Sequence, residues 1–294
     1  MSENLRHWIF ERYLPQNLKA RSWKTHKNYR EAVNDFAAFL GREPTLGDLS
    51  DETFAVFAGY LLGPTRNICE RTTNEKMGRI KTFWRWAFHK RYVDTFPTIC
   101  NVPVPERVPR AWREDELVKL INSCRRERGF IEDIPAWRWW ITIHGWWWCT
   151  GERKEATLLL PVSALDLDNL TASVPAGIRK GRRKPAVYCL WPDLAEMLRE
   201  MLPPATKPRE RVFPFSAHTS TFYNRYDRML RRAGLPHDRY CKPQKMRVSH
   251  ATWRYLSGGD ATRSLGHESD KTTRKHYLDP TLCKPDERQL FRPW

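Results

Sequence analysis

The stretch from residue 247 to residue 277 carries side chains that can bind and attack an anionic ester. Arg247, His267 and Tyr277 follow one another there, and glycines at positions 258, 259 and 266 interrupt the sequence between them. Two cations stand upstream: Arg153, which ends the run Thr-Gly-Glu-Arg, and Lys180, which lies in a basic run. Two arginines, a lysine, an imidazole and a phenol therefore occur in one half of the chain.

Together these residue types suit cleavage of a phosphodiester without a metal. Arginine donates two in-plane hydrogen bonds to phosphate oxygens and stays charged, so it stabilises the charge of the transition state. A tyrosine hydroxyl can be the nucleophile, and its phosphate ester conserves the bond energy for religation. A lysine near two arginines has a depressed pKa, which helps it protonate a departing 5′-oxygen. Taken singly, each residue also has a structural interpretation, so the hypothesis depends on their occurring together.

Charge narrows the class of partner. The 294 residues carry a net charge of +17, and the pI is near 9.8. Such a field attracts polyanions, with nucleic acid as the first candidate. An anionic membrane surface would suit the same charge, but no segment approaches the ~20 apolar residues of a spanning helix. The N-terminus also lacks the apolar core of a signal peptide, so we expect a cytoplasmic, nucleoid-associated protein.

The seven cysteines are scattered, odd in number and free of CxxC pairs. Reduced thiols explain them better than disulfides or a zinc site. We therefore expect no metal site and no cofactor.

Apolar periodicity near 3.6 predicts that residues 1–95 form a small all-helical bundle. The expected helices lie around Trp8 to Tyr13, after a cap at Thr25, after Ser50 or Asp51, and after a capping box at Thr72 and Glu75. The last helix has one apolar side and one basic side. A basic helix side is usually just solvated, but in so basic a protein DNA contact is favoured. The basic side consists of Lys76, Arg79, Lys81 and Arg85.

Four prolines between residues 97 and 109 predict an extended linker at 96–110. Beyond it, residues 111–294 read as a mixed, mostly helical domain with one small sheet. Helices are expected at 114–121, at 137–149, from Pro192 and at 221–232, and a hairpin from the β-favouring runs 171–176 and 185–190. The hairpin tip is strongly basic, which suits phosphate contacts. Its basic residues beside Lys180 are Arg179, Arg182, Arg183 and Lys184.

Five short sequence motifs, or boxes, follow one another in this second domain. They are Thr150-Gly151-Glu152-Arg153, Lys180-Gly181, Met246-Arg247 with Ala251-Thr252, Leu265-Gly266-His267, and Thr272-Thr273 with Tyr277. Their order resembles that of the tyrosine recombinases, the superfamily of phage integrases, Xer and Cre. Each box alone is weak, whereas five in the family's order are strong. The resemblance covers residues 110–280, and residues 24–95 look like the family's core-binding domain.

The resemblance implies a role for each residue. Tyr277 would attack the scissile phosphate, giving a 3′-phosphotyrosyl bond and a free 5′-hydroxyl. Arg153 and Arg247 would hold the transition state, Lys180 would be the general acid, and His267 would donate to a non-bridging oxygen. Gln244 stands where the family usually has histidine, and an amide cannot accept the tyrosine proton.

The resemblance also implies fold and assembly. We expect a mainly α, α+β protein with an N-terminal SAM-like helical bundle and a C-terminal, mostly helical catalytic domain containing a small antiparallel sheet. The two domains would clamp double-stranded DNA at a specific site. Four protomers would join two duplexes through a Holliday junction, while the free protein would be a monomer or weak oligomer. An accessory DNA-bending protein is a candidate partner, and the tail at 281–294 would dock on a neighbouring protomer or pack on its own domain.

The sequence therefore predicts a site-specific recombinase or integrase of a mobile element. Two alternatives stay open. A type IB-like DNA topoisomerase uses similar residues as a monomer. A catalytically silent DNA-binding relative of integrases would fit Gln244 and also Glu155, which stands two residues after Arg153 where the family's acidic residue is normally three after.

Overall fold

The structure is a computed structural model that describes residues 4–17, 22–181, 184–202 and 210–283. The chain divides into two compact units, Met1–Glu106 and Arg107–Trp294. Each unit has its own apolar core.

The first unit is helical throughout. It begins with α1 (Leu5–His7), a π-helical segment at Trp8–Tyr13 and α2 (Leu14–Gln16). The long helices are α3 (Trp23–Leu40), α4 (Asp51–Leu62) and α5 (Glu70–His89), with a 3-10 turn at Leu46–Asp48. Aromatic rings fill the space between these helices, as in the edge-on pair Phe36 and Phe57, whose centroids are 5.0 Å apart.

Helix starts differ in part from those predicted. Ser22, not Thr25, caps α3, and its hydroxyl accepts from the Thr25 N–H at 3.1 Å. The last of the four predicted helices begins at Glu70, which puts Thr72 inside α5 rather than at its cap. The prediction at Ser50 is confirmed, because its hydroxyl accepts from the Thr53 N–H.

The proline-containing segment after α5 is held on the first unit as far as residue 102. The Asp51 carboxylate, in the first turn of α4, accepts from the N–H groups of Thr98 and Ile99 at 3.1 Å. Asn74 on α5 exchanges two hydrogen bonds with the Val102 backbone.

The second unit is built around a buried, tryptophan-rich helix, α7 (Ala136–Thr150). The other helices are α6 (Glu114–Arg125), α8 (Lys154–Leu158), α9 (Pro192–Met201), α10 (Thr219–Arg232), α11 (Gln244–Leu256), α12 (Ala261–Leu265) and α13 (Asp270–Tyr277). Helices α6, α9 and α11 pack on α7, which explains how a helix with apolar side chains all round is covered.

Two small antiparallel sheets complete this unit. A hairpin of β1 (Phe130–Ile131) and β2 (Ile134–Pro135), which was not predicted, precedes α7. A three-stranded sheet has the order β3 (Leu165–Asp166), β4 (Thr171–Val174) and β5 (Ala186–Cys189). Val174, the last residue of β4, pairs with Ala186, the first residue of β5. The predicted basic hairpin therefore connects these two strands. The expected mainly helical α+β fold is confirmed.

Candidate active site

Arg247 lies at the centre of the site, 1% exposed on α11. Its Nη1 donates to the Gly151 carbonyl at 2.6 Å, and its Nη2 donates to the Leu265 carbonyl at 2.8 Å. Both carbonyls are at helix C-termini, where α7 and α12 leave them without intrahelical partners. Burial lowers the pKa of Arg247, and the nearby Arg153 cation lowers it further. The guanidinium therefore joins the helix ends that precede two of the predicted catalytic residues.

Two glycines make these helix ends possible. Gly151 has a φ of 62°, and a Cβ there would meet His250 Cδ2 at 2.5 Å. Gly266 has a φ of 64°, and a Cβ there would lie 3.1 Å from Arg179 Nη2. The left-handed backbone disfavours a side chain at both positions. At Gly151 an added Cβ would also collide with the His250 ring. The glycines of the Thr-Gly and Leu-Gly-His boxes therefore have a structural cause.

His267 lies beside Arg247 and Tyr277. Its Nε2 is 3.2 Å from Arg247 Nη2, its Nδ1 is 2.9 Å from Thr273 Oγ1, and its ring centroid is 4.7 Å from that of Tyr277. Desolvation, and then the charges of Arg247 and Arg153, lower the pKa of His267 to about 4. Because arginine can only donate, Nε2 accepts and the proton is on Nδ1. Donation from Nε2 to a phosphate oxygen, the predicted role, therefore requires a proton to be moved to that atom.

Tyr277 ends α13, and its hydroxyl is 3.3 Å from Gln244 Nε2. The side chain is half-buried, with its ring centre 5.4 Å from Arg247 Cζ. Thr252 fixes the backbone here, since its hydroxyl donates to the Tyr277 carbonyl at 3.1 Å. The phenol is therefore oriented from α11, which carries both Gln244 and Arg247.

Arg153 follows the Gly151 turn and is the N-cap of α8. It is half-buried, and its cation is close enough to lower the pKa of both Arg247 and His267. Arg153 therefore lies within electrostatic range of Arg247 and His267.

Lys180 is exposed in the turn between β4 and β5, after a 3-10 turn at Ala176–Ile178. Among the described residues it hydrogen bonds to none of the other predicted catalytic side chains.

The basic residues near Lys180 have different environments. Arg179, predicted to contact phosphate, is 9% exposed and forms an ion pair with Glu152 at 2.8 Å, so its guanidinium is engaged inside the protein. Lys184 is exposed, with its Nζ 3.4 Å from Glu268 Oε1. Arg182 and Arg183 lie outside the described residues.

The predicted DNA-binding side of α5 is also divided. Lys81, predicted to contact DNA, is 4% exposed and donates to the Ile99 carbonyl at 3.3 Å and to Asn101 Oδ1 at 2.9 Å. Lys76 pairs with the Asp35 carboxylate. Arg79, half-buried, donates to the Glu75 carbonyl, and Arg85 is exposed.

Sequence reasoning missed the buried carboxylate of Glu152. Its position between a glycine and an arginine does not indicate in the sequence that its side chain is buried. Glu155, the acidic residue that the sequence comparison singled out, is exposed beside Lys154. Burial raises the pKa of Glu152, but the Arg153 N–H, Arg179 and Arg247 together hold it below its usual value. The carboxylate therefore stays ionised at neutral pH.

The described ranges contain no group of three or more His, Cys, Asp or Glu side chains placed to hold a metal ion. Within the same ranges, no helix combines the length and apolar character needed to cross a bilayer.

Comparisons with known proteins agree with this architecture. Residues 7–101 match the family model for the phage integrase SAM-like domain. No curated protein matches the chain.

Several solved structures have the same fold. A lambda integrase (75–356) dimer bound to a COC′ core site aligns with a TM-score of 0.70 and 14% identity, covering 99% of both chains. A lambda integrase tetramer bound to a Holliday junction gives 0.67 and 16%, covering 100% of this chain and 80% of that one. The Tn1549 transposon integrase (82–397) with circular intermediate DNA gives 0.72 and 9%, covering 93% and 95%. Residues 7–101 therefore match a phage integrase SAM-like domain, and the chain shares its fold with the lambda and Tn1549 integrases.

Proposed function

We propose that this chain is a site-specific DNA recombinase or integrase that cleaves and rejoins strands through a 3′-phosphotyrosyl intermediate. The observation that carries the proposal is that the phenol of Tyr277, the imidazole of His267 and the guanidinium of Arg153 lie near the guanidinium of Arg247. These are the groups that metal-free transesterification of a phosphodiester needs.

In the proposed first step, the Tyr277 oxygen forms a bond to phosphorus as the bond to the 5′-oxygen breaks. The phenol proton leaves to water, because the Gln244 amide accepts no proton. The 5′-oxygen takes a proton from Lys180, and religation runs the same steps in reverse.

Arg247 and Arg153 would hold the phosphate. The Nε of Arg247 is buried and has no hydrogen-bond partner among the described residues. A buried donor without an acceptor is costly, and a phosphate oxygen would supply the missing acceptor. Such an anion would also attract Nη2 away from His267, freeing the imidazole to turn its proton toward the phosphate.

DNA binding and assembly follow from the same proposal. We propose that the protein binds a specific double-stranded site and acts as a homotetramer, as the lambda integrase bound to a Holliday junction does. Exposed cations such as Arg85 and Lys184 would contact the phosphate backbone. Residues 1–95 would bind the core site, and residues 111–294 would form the catalytic domain. The segment 284–294 lies outside the described residues.

One observation favours a second candidate, a catalytically silent DNA-binding relative. The side chain that hydrogen bonds to the Tyr277 hydroxyl is an amide, at 3.3 Å, and it offers no general base. A type IB-like topoisomerase would share the chemistry but would relax supercoiled plasmid without needing a specific site.

The test is covalent trapping on nicked suicide DNA taken from the ends of the element that flanks the gene. We expect a protein band shifted by the attached strand in a denaturing gel, and its loss in Tyr277→Phe. Tight binding of the same DNA without a shifted band would contradict cleavage and favour the silent binder. Plasmid relaxation independent of site would favour the topoisomerase.

A further inference from the structure

We propose that Arg179 is a positioning residue for Lys180, because its ion pair with Glu152 anchors the hairpin from which Lys180 projects. The inference rests on the proposed function, in which Lys180 protonates the leaving 5′-oxygen.

One guanidinium connects both sides of this hairpin to the rest of the unit. Arg179 Nε donates to Glu152 Oε2 at 2.8 Å, and Nη1 donates to the carbonyls of Lys184 at 3.2 Å and Pro185 at 3.4 Å. Arg179 directly precedes Lys180, whereas residues 184 and 185 lead back into β5. The Arg179 side chain therefore fixes the backbone on both sides of Lys180, at residue 179 itself and at residues 184 and 185.

The partner carboxylate is equally well fixed. The Glu152 side chain is fully buried; its Oε1 accepts from the Arg153 N–H at 2.9 Å, and its Oε2 accepts from the Tyr188 hydroxyl at 2.9 Å. Tyr188 lies on β5, so the hairpin meets Glu152 at two points. The carboxylate thus ties the hairpin to the backbone of a phosphate-binding arginine.

The same guanidinium abuts the turn before His267. The 3.1 Å separation between Arg179 Nη2 and the Cβ position of Gly266 leaves little room for a side chain there. Arg179 therefore contacts the segments that carry Arg153 and His267 as well as its own hairpin. Lys180, exposed at the surface, takes its location from the backbone alone.

This geometry separates two effects. Without the anchor, Lys180 should spend less time at the leaving oxygen, whereas Tyr277 and Arg247, which are held by α11 and α13, keep their places. The defect should therefore appear only in the step that needs an acid.

The experiment compares two substrates in single-turnover cleavage. One is ordinary DNA; in the other, sulfur replaces the bridging 5′-oxygen of the scissile phosphate, and a thiolate departs without needing a proton. The test variant is Glu152→Gln/Arg179→Gln, which removes both charges and so leaves neither buried and unpaired. Arg179→Gln alone is run beside it, and thermal unfolding is measured for each protein.

We expect Lys180→Ala to lose about 100-fold or more on ordinary DNA and to approach the wild-type rate on the sulfur substrate. The double variant should show the same pattern with a smaller loss. Arg199→Gln, which removes an exposed pair with Asp168 in the same unit, should leave both rates unchanged.

Four results would go against the proposal. Wild-type rates in the double variant on both substrates would show that no anchor is needed. An equal loss on both substrates would indicate a merely structural role. If Lys180→Ala itself were not rescued by sulfur, its role as the acid would fail and the positioning role with it. Rescue of Lys180→Ala without rescue of the double variant would reject the positioning role alone.

Discussion

At the scale of single residues, the site depends on the Arg247 guanidinium, which donates its hydrogen bonds to backbone carbonyls. Arg247 is buried without a carboxylate partner in the described part of the chain, and it binds the Gly151 and Leu265 carbonyls instead. Carbonyls leave its positive charge uncompensated, which suits a site that must receive an anion. Glu152, whose negative charge is nearby, is already bound by Arg179 and Tyr188.

Gln244 is the residue whose replacement should change the chemistry most directly. In Gln244→His, an imidazole replaces the amide 3.3 Å from the Tyr277 hydroxyl and can accept its proton. We expect single-turnover cleavage at pH 7 to accelerate by at least about tenfold. The rate should also rise with pH through the pKa of the new imidazole, as the neutral base forms.

Gln244→Ala is the matched control. It removes the hydrogen bond without adding a base, so the rate should stay at or below that of wild type, without the new pH dependence. A Gln244→His protein no faster than Gln244→Ala would show that the phenol is not activated from this position.

At the scale of elements, apolar periodicity predicted the helices well because burial gives the strongest pattern in the sequence. The apolar positions expected on α5, among them Met77, Ile80 and Phe83, are buried. Helix starts were less predictable, since Ser22 and Thr25 are both good caps and only the fold selects between them. The short strands β1, β2 and β3 carry too few residues to show an alternation.

The turn between α7 and α8 should be intolerant of a side chain. Gly151→Ala requires a left-handed backbone for alanine, which costs about 1 to 2 kcal/mol, and also displaces His250. We expect the free energy of unfolding to fall by about 2 to 5 kcal/mol when overpacking is added. Urea unfolding of the purified protein measures this.

Gly234→Ala provides the comparison in the same unit. Its φ is 66°, but nothing lies within 4 Å of the added Cβ, so only the backbone cost of about 1 to 2 kcal/mol applies. Equal losses in the two variants would contradict a steric role for Gly151.

At the scale of the whole molecule, the net charge of +17 predicted nucleic-acid binding but not which cations make contacts. Whether a basic side chain faces solvent or serves the fold depends on partners distant in sequence. Lys81 meets Asn101, and Arg179 meets Glu152. The order of the five boxes, by contrast, predicted Arg247, His267 and Tyr277, which lie together in the structure, because each box consists of residues that are adjacent in sequence.

Salt dependence should distinguish these cations. Each phosphate contact contributes a slope of about −0.9 to log K against log salt. We expect Arg85→Ala, at an exposed position of α5, to reduce the slope by about 0.9. Lys81→Met should leave the slope unchanged, because that ammonium is hydrogen bonded within the first unit. A slope that changes with Lys81 but not with Arg85 would reverse the assignment.

The bonds of Arg247 to two helix ends have a practical consequence for making an inactive protein. Replacing this arginine would release the carbonyls of Gly151 and Leu265 inside the unit, so a loss of activity could not be separated from a loss of fold. Tyr277 is half-buried at the end of α13, and only its hydroxyl is removed in Tyr277→Phe. A well-folded competitor that occupies recombination sites and blocks the active protein is therefore better made at the tyrosine than at the arginine.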